Sequence, residues 1–134
     1  HYCSRRQRQM CIRDSIKGWL EDGKHKEKVF DVACSDGLIV DQETHRCPEN
    51  KAWVDLSDCS ISADSGDKEM KVLWQDPEFK VNQDAFYYAR IIENPVCRWS
   101  TWDSIRAGGK PRSDIPVTIQ ERAWSSPIWL KKIK

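Results

Sequence analysis

Apolar residues fall mostly at strand spacing along this chain. Ile16 to Leu20 (IKGWL) and Lys28 to Ala33 (KVFDVA) flank Asp22-Gly23, a dipeptide suited to a hairpin connection. The charged run Glu21 to Lys28 is longer than a two-residue turn needs, so the register stays open. Ser35 to Ala52 is polar, with turn chemistry at Asp36-Gly37 and Pro48 to Asn50, and reads as a long loop. Trp53 to Leu56 fits a short strand, and Ala63 to Lys68 a turn. Met70, Val72 and Trp74 alternate with polar neighbours as a half-buried strand, interrupted by Leu73 and stopped at Asp76-Pro77.

The stretch Ala85 to Ile92 (AFYYARII) has Phe86, Tyr88 and Ile92 on one face and Tyr87, Ala89 and Ile91 on the other. Apolar residues on both faces predict a central strand covered on both sides, with Phe86, Tyr88, Ile91 and Ile92 in the core. Ser100 to Asp103 matches an S-x-x-D helix start, with Gly108 placed to cap the end, so one helix of two turns at most is expected. Val117 to Ala123 and Ile128 to Leu130 read as the last strands, separated by Ser125-Ser126-Pro127. The fold class is mainly β: an antiparallel sheet or sandwich-like region with one short helix.

The N-terminal run Arg5 to Ser15 (RRQRQMCIRDS) changes that picture. It resembles the translation of a transposase adapter used in sequencing libraries, with ten consecutive residues agreeing in one frame. The other reading is a basic arm able to touch nucleic acid or a membrane surface. On the adapter reading, residues 1–15 are non-native and pack on nothing. Residues 16–134 then form one β-rich C-terminal region, truncated at its N-terminal side. The full chain has 134 residues and net charge +1. Setting aside the four arginines and one aspartate of the run leaves 18 basic and 20 acidic residues, net −2. That balance removes the electrostatic case for nucleic acid or anionic lipid. No apolar run reaches membrane-spanning length.

Four cysteines remain in residues 16–134: Cys34, Cys47, Cys59 and Cys97, with 12, 11 and 37 residues between them. A zinc reading would recruit His45 beside Cys47, with Cys34 and Cys59. Zinc sites usually bring a closely spaced ligand pair from a tight turn, and His45-x-Cys47 is too tight for that. Disulfides Cys34–Cys47 and Cys59–Cys97 are expected instead, which implies an extracytoplasmic, periplasmic location.

Catalytic signatures are missing. There is no nucleophile elbow, phosphate-cradling glycine loop or HExxH helix, and residues 16–134 hold only two histidines, His25 and His45. Both histidines sit in polar stretches and read as solvated surface residues; no metal site is expected among these residues. Trp19, Trp53, Trp74, Trp99, Trp102, Trp124 and Trp129 are dense for the length. They fit a core and interface of large rings, or alternatively a stacking platform for sugars or bases. Arg90, Arg98 and Arg122 stand near Glu93, Glu121 and these rings. Ion pairs and cation–π contacts are their ordinary outcome; recognition of a carboxylate or phosphate is the sharper one.

The segments WQDPEF, DAFYYARIIENP, CRWSTWD and TIQERAWSSPIW, in that order, with IKGW and KVFDVACSDG upstream, resemble the C-terminal end of a large bacterial family of unknown function, the domain-of-unknown-function family 3604. The resemblance covers nearly all of residues 16–130. Full-length members look like PHP-type proteins (polymerase and histidinol phosphatase superfamily), whose distorted α/β barrel carries a metal motif of the type GDxHxHT near its start. The resemblance implies that the parent is a metal-dependent hydrolase, with a phosphoester as candidate substrate and a divalent metal in the upstream barrel. No residue here matches that motif, so the family's catalytic residues are not carried onto this chain. The expected role is a structural or accessory region packed on the barrel, with Arg98, Glu121 and Arg122 as candidate substrate contacts. The alternative is an autonomous sandwich binding carbohydrate through its surface tryptophans.

Overall fold

The computed structural model describes residues 9–132, and they form a sheet with one long irregular excursion. Strands β1 (Met10–Glu21) and β2 (Lys24–Cys34) make a hairpin, and β1 also pairs with β3 (Ala85–Glu93). Short strands follow: β4 (Val96–Cys97), then helix α1 (Trp99–Arg106), β5 (Thr118–Ile119), β6 (Arg122–Trp124) and β7 (Ile128–Leu130). The main sheet runs β2-β1-β3-β6, with β7 also on β3; β4 and β5 form a separate ribbon. Every pairing is antiparallel. The mainly β, antiparallel reading with one short helix therefore holds.

The hairpin register left open by the sequence is that of a two-residue turn. Asp22 and Gly23 both take left-handed φ (51° and 71°), the requirement of the turn whose twist matches two right-twisted strands. Glu21 pairs with Lys24, so the charged run is strand and not loop. Strand β3 lies where the sequence puts it and is flanked on both edges. Its outer edge is shared: β6 pairs with Arg90 to Ile92, and β7 with Ala85 to Tyr87. Ser125 bridges the gap, its N–H donating to the Ala89 carbonyl (2.9 Å) and its hydroxyl accepting from the Ala89 N–H (2.9 Å).

Helix α1 starts two residues earlier than the sequence signal. Arg98 is the N-cap, without a side-chain cap bond, and Ser100 lies inside the first turn. Gly108 does end the helix, at φ 70°, with its N–H on the Ile105 carbonyl (3.0 Å). Thr101 is buried against the ribbon and donates its hydroxyl to the Val117 carbonyl (2.7 Å).

Three expectations need correction. Met10 to Ser15 do pack: they are the first half of β1, hydrogen-bonded between β2 and β3, with Cys11 buried and Asp14 fully enclosed. Main-chain pairing on both edges holds this segment whatever its side chains, and Asp14 finds Arg90 across the rung. Residues 1–8 lie outside the described residues. Second, Met70 to Trp74 form no strand. The segment crosses one sheet face instead of running along an edge, so side chains take over the role of a ladder: Arg13 donates to the Met70 carbonyl (3.1 Å). Trp53 to Leu56 likewise reduce to a single bridge, Val54 with Ile61. Third, Phe86, Tyr88, Ile91 and Ile92 are half-buried and not enclosed.

The core is small. Phe30 and Ile16 are the large apolar side chains that are fully buried, beside Thr101, Asp14, Cys59 and Ser35. The excursion between β2 and β3 is fastened covalently by Cys34–Cys47 and Cys59–Cys97, the two expected bridges (Cα–Cα 5.6 and 5.7 Å). They mark a chain of an oxidising, extracytoplasmic environment. No helix among the described residues is long and apolar enough to cross a membrane.

Candidate functional site: two unlike faces of one sheet

Alternation along the strands gives the sheet two faces of different chemistry. On the first, residues 70–80 lie across β1, β2 and β3 as a strap. Lys17, from the middle of β1, is almost wholly buried and meets the equally buried Asp76 at 2.6 Å. The same ammonium donates to the Glu78 carbonyl (2.8 Å), and the Tyr87 hydroxyl donates to Asp76 (2.6 Å). Lys28 pairs with Glu78. Trp74 fills the space between Phe30 and Tyr87, at ring-centroid distances of 5.3 and 6.5 Å. Burial pushes the Tyr87 hydroxyl well above its ordinary range, and the Asp76 carboxylate adds to that. Burial by itself would raise Asp76; the bonds from Lys17 and Tyr87 outweigh it and hold this carboxyl below its usual value. The group of three lies buried between the segment 70–80 and the sheet. It fastens the strap.

The opposite face carries Ile16, Gly18 and Leu20 of β1, with Phe86, Tyr88 and Arg90 of β3 on the neighbouring strand. Trp129 pairs with Phe86, and Trp124 with Arg90. Arg90 makes a bidentate bond to the enclosed Asp14, from Nη2 to Oδ2 at 2.6 Å and from Nε to Oδ1 at 3.2 Å. That bond, with the carboxylate's charge, raises the guanidinium's pKa against the opposing effect of burial. Gly18 is required here by space: a Cβ would stand 2.2 Å from Cζ of Phe86, whose ring lies against the bare backbone. Phe86 stacks on Tyr88 (6.3 Å, 10° between planes) and leans on Trp129 (5.1 Å, 47°).

At the hairpin end of this face is a hollow of about 320 Å³, lined by Gly18, Leu20, His25, Asp84, Phe86 and Trp129, with Lys131 at its margin. Trp129 is 66% exposed, Leu20 54% and Trp124 60%. Most of each side chain faces water, although Trp129 leans on Phe86. The hollow offers aromatic surface with a carboxylate, an imidazole and an ammonium around it, an arrangement suited to binding.

The sequence-derived candidates are placed as follows. Arg98 caps α1, its Nε buried without a hydrogen-bond partner. Glu121 is exposed, and its carbonyl accepts from the Glu93 N–H (2.9 Å). Arg122 is exposed on β6 opposite Ile92. No hydrogen bond or ion pair joins the three side chains. His25 stands on β2 at the hollow, not in a loop. His45 is half-buried, its ring 5.2 Å from Phe30. Among the described residues no three His, Cys, Asp or Glu side chains converge as metal ligands, so the donor set does not fit the divalent centre that the resemblance implies for a parent protein. The residues that sequence reasoning missed are Lys17 with Asp76 and Tyr87, and Asp14 with Arg90. Their one signal is a charged residue placed mid-strand in an apolar run.

No curated protein and no solved structure matches this chain. A family model described as "Protein of unknown function (DUF3604)" matches residues 11–132, beginning inside the adapter-like run and reaching past β7. The chain belongs to the DUF3604 family of proteins of unknown function.

Proposed function

We propose that this chain is the C-terminal accessory region of a PHP-like, metal-dependent hydrolase of the bacterial periplasm, with phosphoesters as the candidate substrate class. On this reading the metal and the catalytic residues belong to an upstream barrel, and this region packs on that barrel without catalysing anything itself. The observation that carries it is the inequality of the two faces. One is covered by residues 70–80, while the other presents Trp124 at one end and Trp129 with Leu20 at the other to solvent, over a core in which Phe30 and Ile16 are the large fully enclosed apolar side chains among the described residues. Exposed apolar patches of this kind mark surfaces that are covered in the working molecule. The Trp124 end, with Tyr88 and the Arg90–Asp14 pair, is the part assigned to the barrel. Arg98, Glu121 and Arg122 remain candidate contacts to a substrate held there.

Two measurements test this. The purified chain, assayed with manganese or zinc and p-nitrophenyl phosphate, is expected to give no turnover; turnover that disappears in His25→Ala or His45→Ala would make it a self-contained enzyme. With the upstream reading frame recovered from its source, the separately produced barrel and this region are expected to co-elute on gel filtration. Trp124→Arg should split the pair. Independent elution of the wild-type parts would remove the accessory reading.

A further inference from the structure

We infer that the hollow at the hairpin end of the aromatic face is a binding site for a neutral saccharide ring. This goes beyond the accessory reading and does not depend on it. Trp124 and Trp129 pair with β3 at Arg90 and Phe86, four residues apart, so the two tryptophans are separated by roughly 13 Å along the strand. The saccharide site is assigned to the Trp129 end of the face and the barrel contact to the Trp124 end.

Three features select the ligand. First, Trp129 is two-thirds exposed and tilted against Phe86, whose ring lies against Gly18. A wide ring held open to water is a surface for a flat, weakly apolar partner, and the C–H face of a pyranose is one. Second, the margin is polar and mixed in sign. Asp84 uses one carboxylate oxygen to accept the Lys132 N–H (2.8 Å), and its other oxygen has no partner among the described residues. His25 stands across the hollow, and Lys131 lies beside Leu130. An acceptor, an ammonium donor and an imidazole around an aromatic floor match hydroxyl groups. An apolar peptide side chain would desolvate the free Asp84 oxygen with nothing to replace its water, an unfavourable exchange. Third, the volume of about 320 Å³ lies at the small end of the range of about 300–1,000 Å³ found for small-molecule sites, enough for one or two rings and not for a folded partner. Acidic and basic groups at the margin offset each other, so no anionic ligand is called for.

The test uses the whole chain and four neutral probes: maltohexaose, cellohexaose, xylohexaose and laminarihexaose. Binding is read by saturation-transfer NMR and by tryptophan fluorescence. At least one probe is expected to receive saturation, and Trp129→Ala should weaken that binding by about tenfold or more, the equivalent of one lost stacking contact. Asp84→Asn should weaken it less, and Trp53→Ala, whose ring is exposed away from the hollow, should leave it unchanged. Because Trp129 is two-thirds exposed, a thermal melt of Trp129→Ala coincident with wild type is expected to separate lost binding from lost fold. Absence of binding to all four probes at millimolar concentration would overturn the assignment. So would binding that survives Trp129→Ala. Oligo-deoxythymidine binding that Trp129→Ala abolishes would replace saccharide by base stacking. The outcome is independent of the barrel experiment, since either can fail alone.

Discussion

The two faces of the main sheet are built from the same three strands and solve the covering problem in opposite ways. The strapped face is closed by an irregular segment whose fit depends on charge: Lys17, Asp76 and the Tyr87 hydroxyl satisfy one another inside it. The aromatic face has larger apolar side chains and less cover, with Trp129 and Trp124 mostly in water. Hydrophobicity alone would predict the reverse. A buried ion pair is a poor source of net stability, because desolvating two charges offsets much of their attraction, but it penalises any other placement of the strap. The strapped face is therefore specified for folding, and the aromatic face is the surface on which both proposals rest.

The sharpest way to break that comparison is to remove one partner of the buried pair. Asp76→Ala leaves the Lys17 ammonium enclosed and unpaired and is expected to cost about 3–5 kcal/mol in urea melts. The double variant Lys17→Met with Asp76→Leu should recover most of that loss, since no stranded charge remains. A loss under about 1 kcal/mol for Asp76→Ala would mean that the strap is not held as described.

Next in size is the contrast between ring truncations on the two faces. Phe30→Ala, on the strapped side, empties an enclosed site and is expected to cost about 3–5 kcal/mol. Tyr88→Ala, on the aromatic side, removes a half-buried ring and should cost about 1–2 kcal/mol. From sequence alone Tyr88 reads as a core residue worth about 3 kcal/mol or more. Equal losses for the two variants would show that the aromatic face is covered after all.

Much of this was legible from residue pattern. Strand β3 could be read because its apolar residues are contiguous, and the Asp22-Gly23 turn because both positions need left-handed φ. The two disulfides followed from loops that must be closed. The strap was not legible. Met70, Val72 and Trp74 alternate as a strand does, yet Leu73 is fully exposed and the segment satisfies its carbonyls with Arg13 and Lys17 from β1. Nothing local announces partners more than fifty residues away. The first half of β1 was misread for a different reason. A strand held on both edges by main-chain bonds tolerates almost any alternating sequence, so resemblance to a foreign oligonucleotide carried no information about pairing. As for the hollow, its tryptophan was visible but its floor was not. The rung Gly18–Phe86–Trp129 joins positions distant in sequence, and a glycine in IKGWL has no meaning until Phe86 is placed over it.

A smaller effect is expected from pH. Asp76 is held below its ordinary value in the folded state. A depressed carboxyl contributes stability that is fully present above its unfolded pKa of about 3.9 and disappears as pH falls through the folded value. Stability from this group should therefore be flat between neutrality and about pH 5 and then decline. Asp76→Asn should flatten that acid decline. An unchanged acid slope in the variant would place the titrating carboxylates elsewhere.

The smallest effect belongs to the tryptophans that motivate both functional readings. Trp124→Ala and Trp129→Ala each remove a ring that is about two-thirds in water. Surface substitutions away from packed features usually fall within about 0.5 kcal/mol of neutral, and both variants should do so. Their solubility should rise, because each exposed ring adds to one apolar patch. This near-silence is informative when set beside Phe30→Ala. A ring that costs nothing to remove, on a sheet whose other face cannot spare a single charge, is not part of what folds the chain. If instead either variant loses more than about 2 kcal/mol, the ring is structural and the aromatic face is a second core whose cover comes from within this chain.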